Sequence, residues 1–477
     1  MSSENYNVAV RRINKVIDEN SFVEIGALVT SRNTDFNINC EKTPSDGVIT
    51  GYGLIDGNLV YVYSQDASVL NGSIGEMHAT KICKLYEMAL KMRAPIIGFI
   101  DSVGVRLQES VDALEAIGKI ISMQSKCKGI IPQYLAVFGR CAGVMTTVAG
   151  MSDFVFADEK VEFFLNSPDA IINNYKEKKN TACPIYQAEN NGIIDKVEDE
   201  ESIYHDIRQM IGFLPLNNES DIYIGEGTDD LNRLCTNISD YVEYGHNLVE
   251  EIADDNIFLE TKTLFAKNVV TGFIQLNGMV VGTIANNIAN LDEEGKNINR
   301  FDGKLTAELC EKMSDFIEFC SNFSIPILTI SNTNGIKADL YNESNFTRCI
   351  LKVVKELTRS DVPKINLITD KCFGSPYIYM NSKALGSDIV LAWEGAKVGT
   401  MDADMAVKIM YSNEDLATLN EKKEEYSSLQ NDAVSAARRG YIDKIIKPDE
   451  TRKYLIAFFE MLYTKIHFKR KIEVIKC

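Results

Sequence analysis

The sequence is short of the residues that carry most side-chain catalysis. Four histidines occur in 477 residues, and no Ser, Cys or Thr stands in a recognisable nucleophile–base relay. Eleven cysteines are present but scattered, without a C-x-x-C pair or a Cys/His cluster. That spacing excludes zinc and iron–sulfur sites, leaves no metal to expect, and reads as reduced core thiols. Neither G-x-G-x-x-G nor a P-loop is found, and Cys40 to Gly47 is a polar loop, so nicotinamide and nucleotide-hydrolysis readings fall away. No apolar run approaches the roughly 18 residues that span a bilayer. The polar start, Met1 to Arg12, has no signal-peptide core. A cytoplasmic protein is expected. The net charge of −18 repels a polyanion, so no nucleic acid partner is expected, and keeps the chain soluble.

What is there is a repeat. At an offset of 231 residues (Pro95 to Pro326), Gly104 answers Gly335, Pro132 answers Pro363, Cys141 answers Cys372 and Gly143 answers Gly374. A weaker echo sets Gly51 and Gly57 against Gly272 and Gly278. Each of those pairs opens a hairpin, turned at Asp56-Gly57 or Asn277-Gly278. A helix is then predicted (Gly75–Met92; Lys304–Asn322), a buried strand (Ile96–Ile100; Ile327–Ile330) and a second helix (Gln108–Lys126; Asn345–Thr358). A second buried strand (Tyr134–Phe138; Ile365–Ile368) ends in a glycine turn, and a third strand follows (Phe154–Ala157; Ile389–Ala392). Short apolar strands alternating with helices predict parallel sheets covered on both faces. The chain is therefore α/β and built from one domain used twice. Residues 1–225 and 226–477 are the expected domains, with the boundary in the acidic stretch Asn217–Asp230.

The two glycine turns, Gly139 to Met145 and Lys371 to Tyr377, each lead from a strand into a helix. Such a turn gathers backbone N–H groups that no helical carbonyl accepts, and these can stabilise a developing oxyanion. Glycine also simply ends strands, and His78 reads equally well as a structural residue. With no side-chain machinery in sight, the implied chemistry is stabilisation of an enolate by backbone donors.

Longer runs carry a family resemblance. They include Phe22 to Ala27, Asp46 to Gly53, Tyr63 to Asp66, Gly72 to Ala79, Asp101 to Glu109, Cys141 to Gly143, Ala266 to Gly272, Phe319 to Pro326 and Ala437 to Asp443. In these the chain resembles the carboxyltransferase (β) subunit of biotin-dependent acyl-CoA carboxylases of the propionyl-CoA carboxylase type. It also resembles the α subunits of biotin-dependent methylmalonyl-CoA decarboxylases. The resemblance implies two tandem crotonase-like (ClpP/crotonase) domains, the N-terminal one on the acyl-CoA side and the C-terminal one on the biotin side. It implies transfer of a carboxyl group between biotin and a short acyl-CoA, propionyl-CoA or acetyl-CoA. Gly143 and Val144 would form one oxyanion hole, and Gly374 and Ser375 the other. Ser102, Val103, Gly104, Arg106, Cys141, Ala142, Tyr377 and Ile378 would bind substrate.

No Ala-Met-Lys-Met motif and no ATP-grasp signal occur. Biotin would therefore arrive on a separate carrier protein, with a biotin carboxylase or a membrane decarboxylase subunit as a further partner. A homo-oligomer, dimer or hexamer, is implied, with the site shared between subunits. Departures cluster on the biotin side. Gly374-Ser375-Pro376 replaces Gly-Gly-Ala, and proline has no N–H to give. Asn332 to Ile336 and Tyr341 to Asn345 replace Gly-containing segments, and Asn173 to Asn191 is shorter and polar. Two other readings follow: the α subunit of an acyl-CoA decarboxylase, and a non-catalytic CoA-binding scaffold.

Overall fold

The computed structural model describes residues 7–34, 36, 43–223, 227, 229–291 and 296–476, with backbone alone for Tyr175 and 466–476. Part of the polar N-terminus, the first three residues of the Cys40–Gly47 loop and part of the Asn217–Asp230 stretch lie outside these residues. The chain divides into two units. The first holds residues up to Asp221 together with Lys262–Phe265, and the second holds Ile222–Thr261 and everything from Ala266.

The first unit is one sheet. Its strands are β1 (Val23–Glu24), β2 (Val48–Ile55), β3 (Asn58–Gln65), β4 (Ile96–Ser102), β5 (Gln133–Ala142), β6 (Phe154–Asp158), β7 (Glu162–Phe164) and β8 (Lys196–Glu198). They lie in the order β1-β2-β3-β4-β5-β6-β8, with β7 on the far end of β5. The β1–β2–β3 pairs are antiparallel and the rest parallel. The reason is connection length: two residues join β2 to β3, whereas helices Glu76–Met92 and Ser110–Cys127 carry the crossovers. At the hairpin both Asp56 (φ 49°) and Gly57 (φ 80°) are left-handed, as a two-residue turn of this hand needs.

The second unit repeats the plan. Its strands are β9 (Leu259–Thr261), β10 (Val269–Leu276), β11 (Met279–Asn286), β12 (Ala289–Leu291), β13 (Asn297–Arg300), β14 (Ile327–Thr333), β15 (Lys364–Phe373), β16 (Ile389–Trp393), β17 (Lys397–Gly399) and β18 (Lys444–Ile446). The order β9-β10-β11-β14-β15-β16-β18, with β17 on β15, matches the first unit strand for strand. The β12–β13 ribbon has no counterpart, so the offset grows from 221 (Val48 to Val269) to 231 (Glu76 to Ala307).

Polar anchors repeat with the strands. Asp153 accepts from the amide that starts β5, Gln133 N–H, at 2.9 Å, and Asp388 does so for Lys364 N–H at 2.8 Å. Asp195 holds Val155 N–H and Asp443 holds Val390 N–H, each at 2.8 Å. Lys81 and Lys312 are both buried on the helix that follows their unit's hairpin, and each donates to the carbonyl that begins that hairpin, Val48 and Val269. Burial lowers the Lys81 ammonium to about 8.

Three predicted helices start elsewhere. The one predicted over Lys304–Asn322 begins at Ala307, where Thr306 Oγ1 accepts from Leu309 N–H at 3.2 Å. The next helix of each unit also shifts. The second unit's runs Leu340–Arg359, capped by the Asp339 carboxylate on Asn342 N–H at 2.8 Å. An Asp at the cap starts the helix before the apolar period becomes visible. In the first unit a single 3₁₀ turn, Leu107–Glu109, precedes the helix, with Ser110 left-handed (φ 49°) between them.

Candidate active site

In each unit the long parallel strand, β5 or β15, passes an irregular step in its register with β4 or β14, after Val137 in one and after Ile368 in the other. Its far end pairs with a three-residue strand, β7 or β17. Then comes the glycine turn. Gly143 has φ 61° and Gly374 has φ 71°, a hand that a side chain disfavours. The next residues return to helical angles, Val144 at −61°, −17° and Ser375 at −57°, −31°.

The glycine amides are already used. Gly143 N–H donates to Phe164 O and Gly374 N–H to Gly399 O, both at 2.9 Å. Each is the last hydrogen bond to the short strand. The expectation that Gly143 and Gly374 offer their N–H groups to a ligand is therefore corrected: they set the turn's hand and its anchor. Val144 N–H and Ser375 N–H find no acceptor among the described residues. Met145 N–H is likewise unaccepted, whereas its counterpart Pro376 has no N–H. The first turn thus presents two donors and the second one.

Beside each turn runs a loop with repeated bonding. Ile74 N–H binds Gly104 O at 2.8 Å, and Leu305 N–H binds Gly335 O at 2.9 Å. Ser102 Oγ donates to Gly72 O at 2.7 Å, and Thr333 Oγ1 to Gly303 O at 2.9 Å. A Cβ on Gly104 would stand 3.1 Å from Ala142 O, so this loop lies directly on the turn.

Most of the side chains expected to bind substrate here point inward. Ser102, Arg106 and Cys141 are fully buried and Ala142 nearly so; Val103 alone is exposed. Any contact from Cys141 or Ala142 would come from backbone. Burial also raises the Cys141 thiol well above its ordinary range and pushes Cys372 up to about 12, so neither is a thiolate nucleophile.

Arg106 is spent on the protein. Its Nη1 donates to Asp46 Oδ1 at 2.7 Å and Glu109 Oε1 at 2.9 Å, and its Nη2 to Ser73 O at 2.8 Å. Glu109 Oε2 in turn accepts Glu76 N–H at 2.6 Å, and Asp46 Oδ2 accepts His78 N–H at 2.7 Å. Burial pushes the Asp46 carboxyl up, against the pull of Arg106. Burial, helped by Arg106, lowers His78 to about 3, so the ring is neutral. Its Nδ1 lies 2.9 Å from Asp46 O, which only accepts; Nε2 must then accept from Gln65 Nε2 at 3.2 Å. Arg106 therefore holds the loop in place, and His78 is a satisfied core residue. The second unit has exposed Lys337 at this place, 3.9 Å from Asp339.

The second turn opens on two concavities. A cavity of about 540 Å³ is walled by Ser375, Tyr377, Ile378, Val398, Thr400, Tyr426, Gln430, Arg439 and Tyr441. Another, of about 470 Å³, shares Gly374, Ser375 and Thr400 and adds Lys371, Asp402 and Met405. Tyr377 and Ile378 thus do line a cavity. Sequence reasoning missed Thr400, Tyr426 and Gln430; Arg439 and Tyr441 stood in a quoted run without a role. Among the described residues, no group of three or more His, Cys, Asp or Glu could hold a metal, and no helix is long and apolar enough to cross a membrane.

The carboxyl transferase domain family matches residues 2–475. The methylmalonyl-CoA decarboxylase α subunit of Propionigenium modestum is 34% identical, covering 96% of this chain and 90% of that protein. The propionyl-CoA carboxylase β chain of Roseobacter denitrificans is 32% identical, covering 96% and 91%. Among solved structures, the transcarboxylase 12S hexamer with methylmalonyl-coenzyme A and methylmalonic acid bound aligns with a TM-score of 0.87 at 30% identity, over 96% of this chain and 90% of that one.

Proposed function

The chain belongs to the carboxyl transferase domain family, and from that membership we propose that it moves a carboxyl group between carrier-borne biotin and a short acyl-CoA. Two tandem crotonase-like domains would do this, the first on the acyl-CoA side and the second on the biotin side. The observation that carries the reading is the pair of turns at repeat-related positions, each leaving an amide without an acceptor, Val144 N–H and Ser375 N–H.

In the first unit Val144 N–H, with Met145 N–H beside it, would hold the thioester oxygen as negative charge builds on it. One such donor is worth about 3–4 kcal/mol in a transition state. Val103, on the loop that Arg106 locks, is the exposed side chain placed to meet the CoA arm. In the second unit the cavity beside Ser375 suits a flat cyclic urea on an apolar arm, between Tyr377, Ile378, Val398 and Tyr441. Biotin, when bound, supplies the carboxyl group from a ring nitrogen. Ser375 N–H would face the ureido oxygen, and with Pro376 next in line the Ser375 hydroxyl is the nearest second donor.

The test is direct. Purified chain with methylmalonyl-CoA and free biotin should release the decarboxylated CoA thioester, and a biotinylated carrier protein should raise the rate. Silence in both conditions would sink the proposal. A second reading is the α subunit of an acyl-CoA decarboxylase: a decarboxylase α subunit and a propionyl-CoA carboxylase carboxyltransferase subunit are each 34% identical to the chain. Co-purification with a membrane-embedded subunit rather than a biotin carboxylase would select it.

A further inference from the structure

We infer that Arg439 pairs with a carboxylate borne on the cyclic urea that the second unit's cavity takes, an inference that rests on the biotin-side reading above. Arg439 follows helix Ala433–Arg438 and lines the same 540 Å³ cavity as Ser375. Its Nε donates to Ser435 O and its Nη1 to Gln430 Oε1, both at 3.2 Å. Both acceptors are neutral. The described residues place no carboxylate oxygen within ion-pair distance of it, and Nη2 has no acceptor.

A guanidinium held by two neutral bonds, with one edge left over, is preorganised for an anion and matches a planar carboxylate. The other cation near this turn is different: Lys371 belongs to the second cavity and has Asp370 at 3.6 Å. Within the Ser375 cavity the remaining polar groups are uncharged, with Tyr426 OH and Thr400 Oγ1 paired at 3.3 Å. Burial raises the Tyr377 phenol, and Arg439 opposes that rise. An acidic protein repels anions overall, so a local cation must offset that where an anion is to be held.

The experiment compares two small ureas on the full chain by titration calorimetry: neutral 2-imidazolidinone and its 1-carboxymethyl derivative. The chain should prefer the carboxylate by about tenfold, a preference that falls with added salt. Arg439→Gln should abolish the preference while keeping the affinity for the neutral urea, which also shows that the cavity is intact. Arg439→Lys should keep part of it. A preference that survives in Arg439→Gln overturns the inference, as does a wild-type chain that binds the neutral urea and shows no preference. A chain that binds neither urea, and releases no CoA product from methylmalonyl-CoA, overturns the biotin-side reading and this inference together.

Discussion

Arg106→Met is the sharpest test of how the first unit is held. The substitution keeps an unbranched side chain but removes the guanidinium. Asp46 and Glu109 are then left facing one another in a site where all three side chains have zero exposure. Removing one partner of a buried pair costs about 3–5 kcal/mol, because the remaining charge is uncompensated. The lost bond to Ser73 O adds about 1 kcal/mol. Against a domain stability of about 5–15 kcal/mol this is a large fraction. At about 2–4 °C per kcal/mol for a domain of this size, the first unit's midpoint should fall by about 8–24 °C.

Differential scanning calorimetry would show this as a shift of one transition with the second unit's left in place. The pH dependence has a definite sign. The Asp46 carboxyl is already raised in the folded state, so its folded form binds protons more readily than the unfolded chain does. Without Arg106 it rises further. The variant should therefore be least handicapped in acid and lose stability as pH rises through the folded Asp46 value. A midpoint within about 2 °C of wild type, or a deficit that grows on acidification, would refute the reasoning.

Other outcomes follow from the same geometry. Gly143→Ala meets nothing within 4 Å, yet its φ of 61° strains any side chain. It should cost about 1–2 kcal/mol of stability and, by turning Val144 N–H aside, lower product release about 10²-fold with KM for the CoA thioester changing less. Pro376→Ala restores an amide at the second turn, and transfer to biotin should hold steady or rise; a tenfold drop would mean that Pro376 is adapted to its cavity. Cys141 and Cys372 should resist iodoacetamide at pH 7.5 in the folded protein and react only on unfolding, read by peptide mass spectrometry. His78 is neutral when folded and must gain a proton when unfolded, so it favours the folded first unit above pH about 6.5. That contribution should be lost as pH falls from there toward about 3, and should be reduced in His78→Gln.

The repeat made the architecture legible, because glycines and prolines mark chain reversals that do not depend on partners. Pro95 and Pro326 stand just before equivalent strands, and both glycine turns fall where the spacing put them. Which amides are free was not legible. Gly143 and Val144 look alike as backbone donors until β7 is seen to take one of them. The role of Arg106 was hidden for a similar reason: Asp46 is 60 positions away. Nor does any local pattern announce that Lys262–Phe265 belongs with the first unit, where Thr263 N–H binds Asp195 O at 3.1 Å. The walls of the 540 Å³ cavity beside Ser375 come from Thr400, Tyr426 and Arg439, spread along a stretch without a period to read.

A donor that belongs to the main chain is almost immune to point mutation. Val144 and Ser375 differ in size, branching and polarity, yet each leaves the same unaccepted amide. Nineteen of the twenty residue types keep that amide, and proline alone deletes it. The side chains at these two positions are therefore free to drift and to tune shape while the donor itself persists. In this chain the single deleting residue has been accepted one position further on, at Pro376. Copies of the domain can thus diverge widely in sequence while still offering the same electrostatic contact, and lose it in a single step.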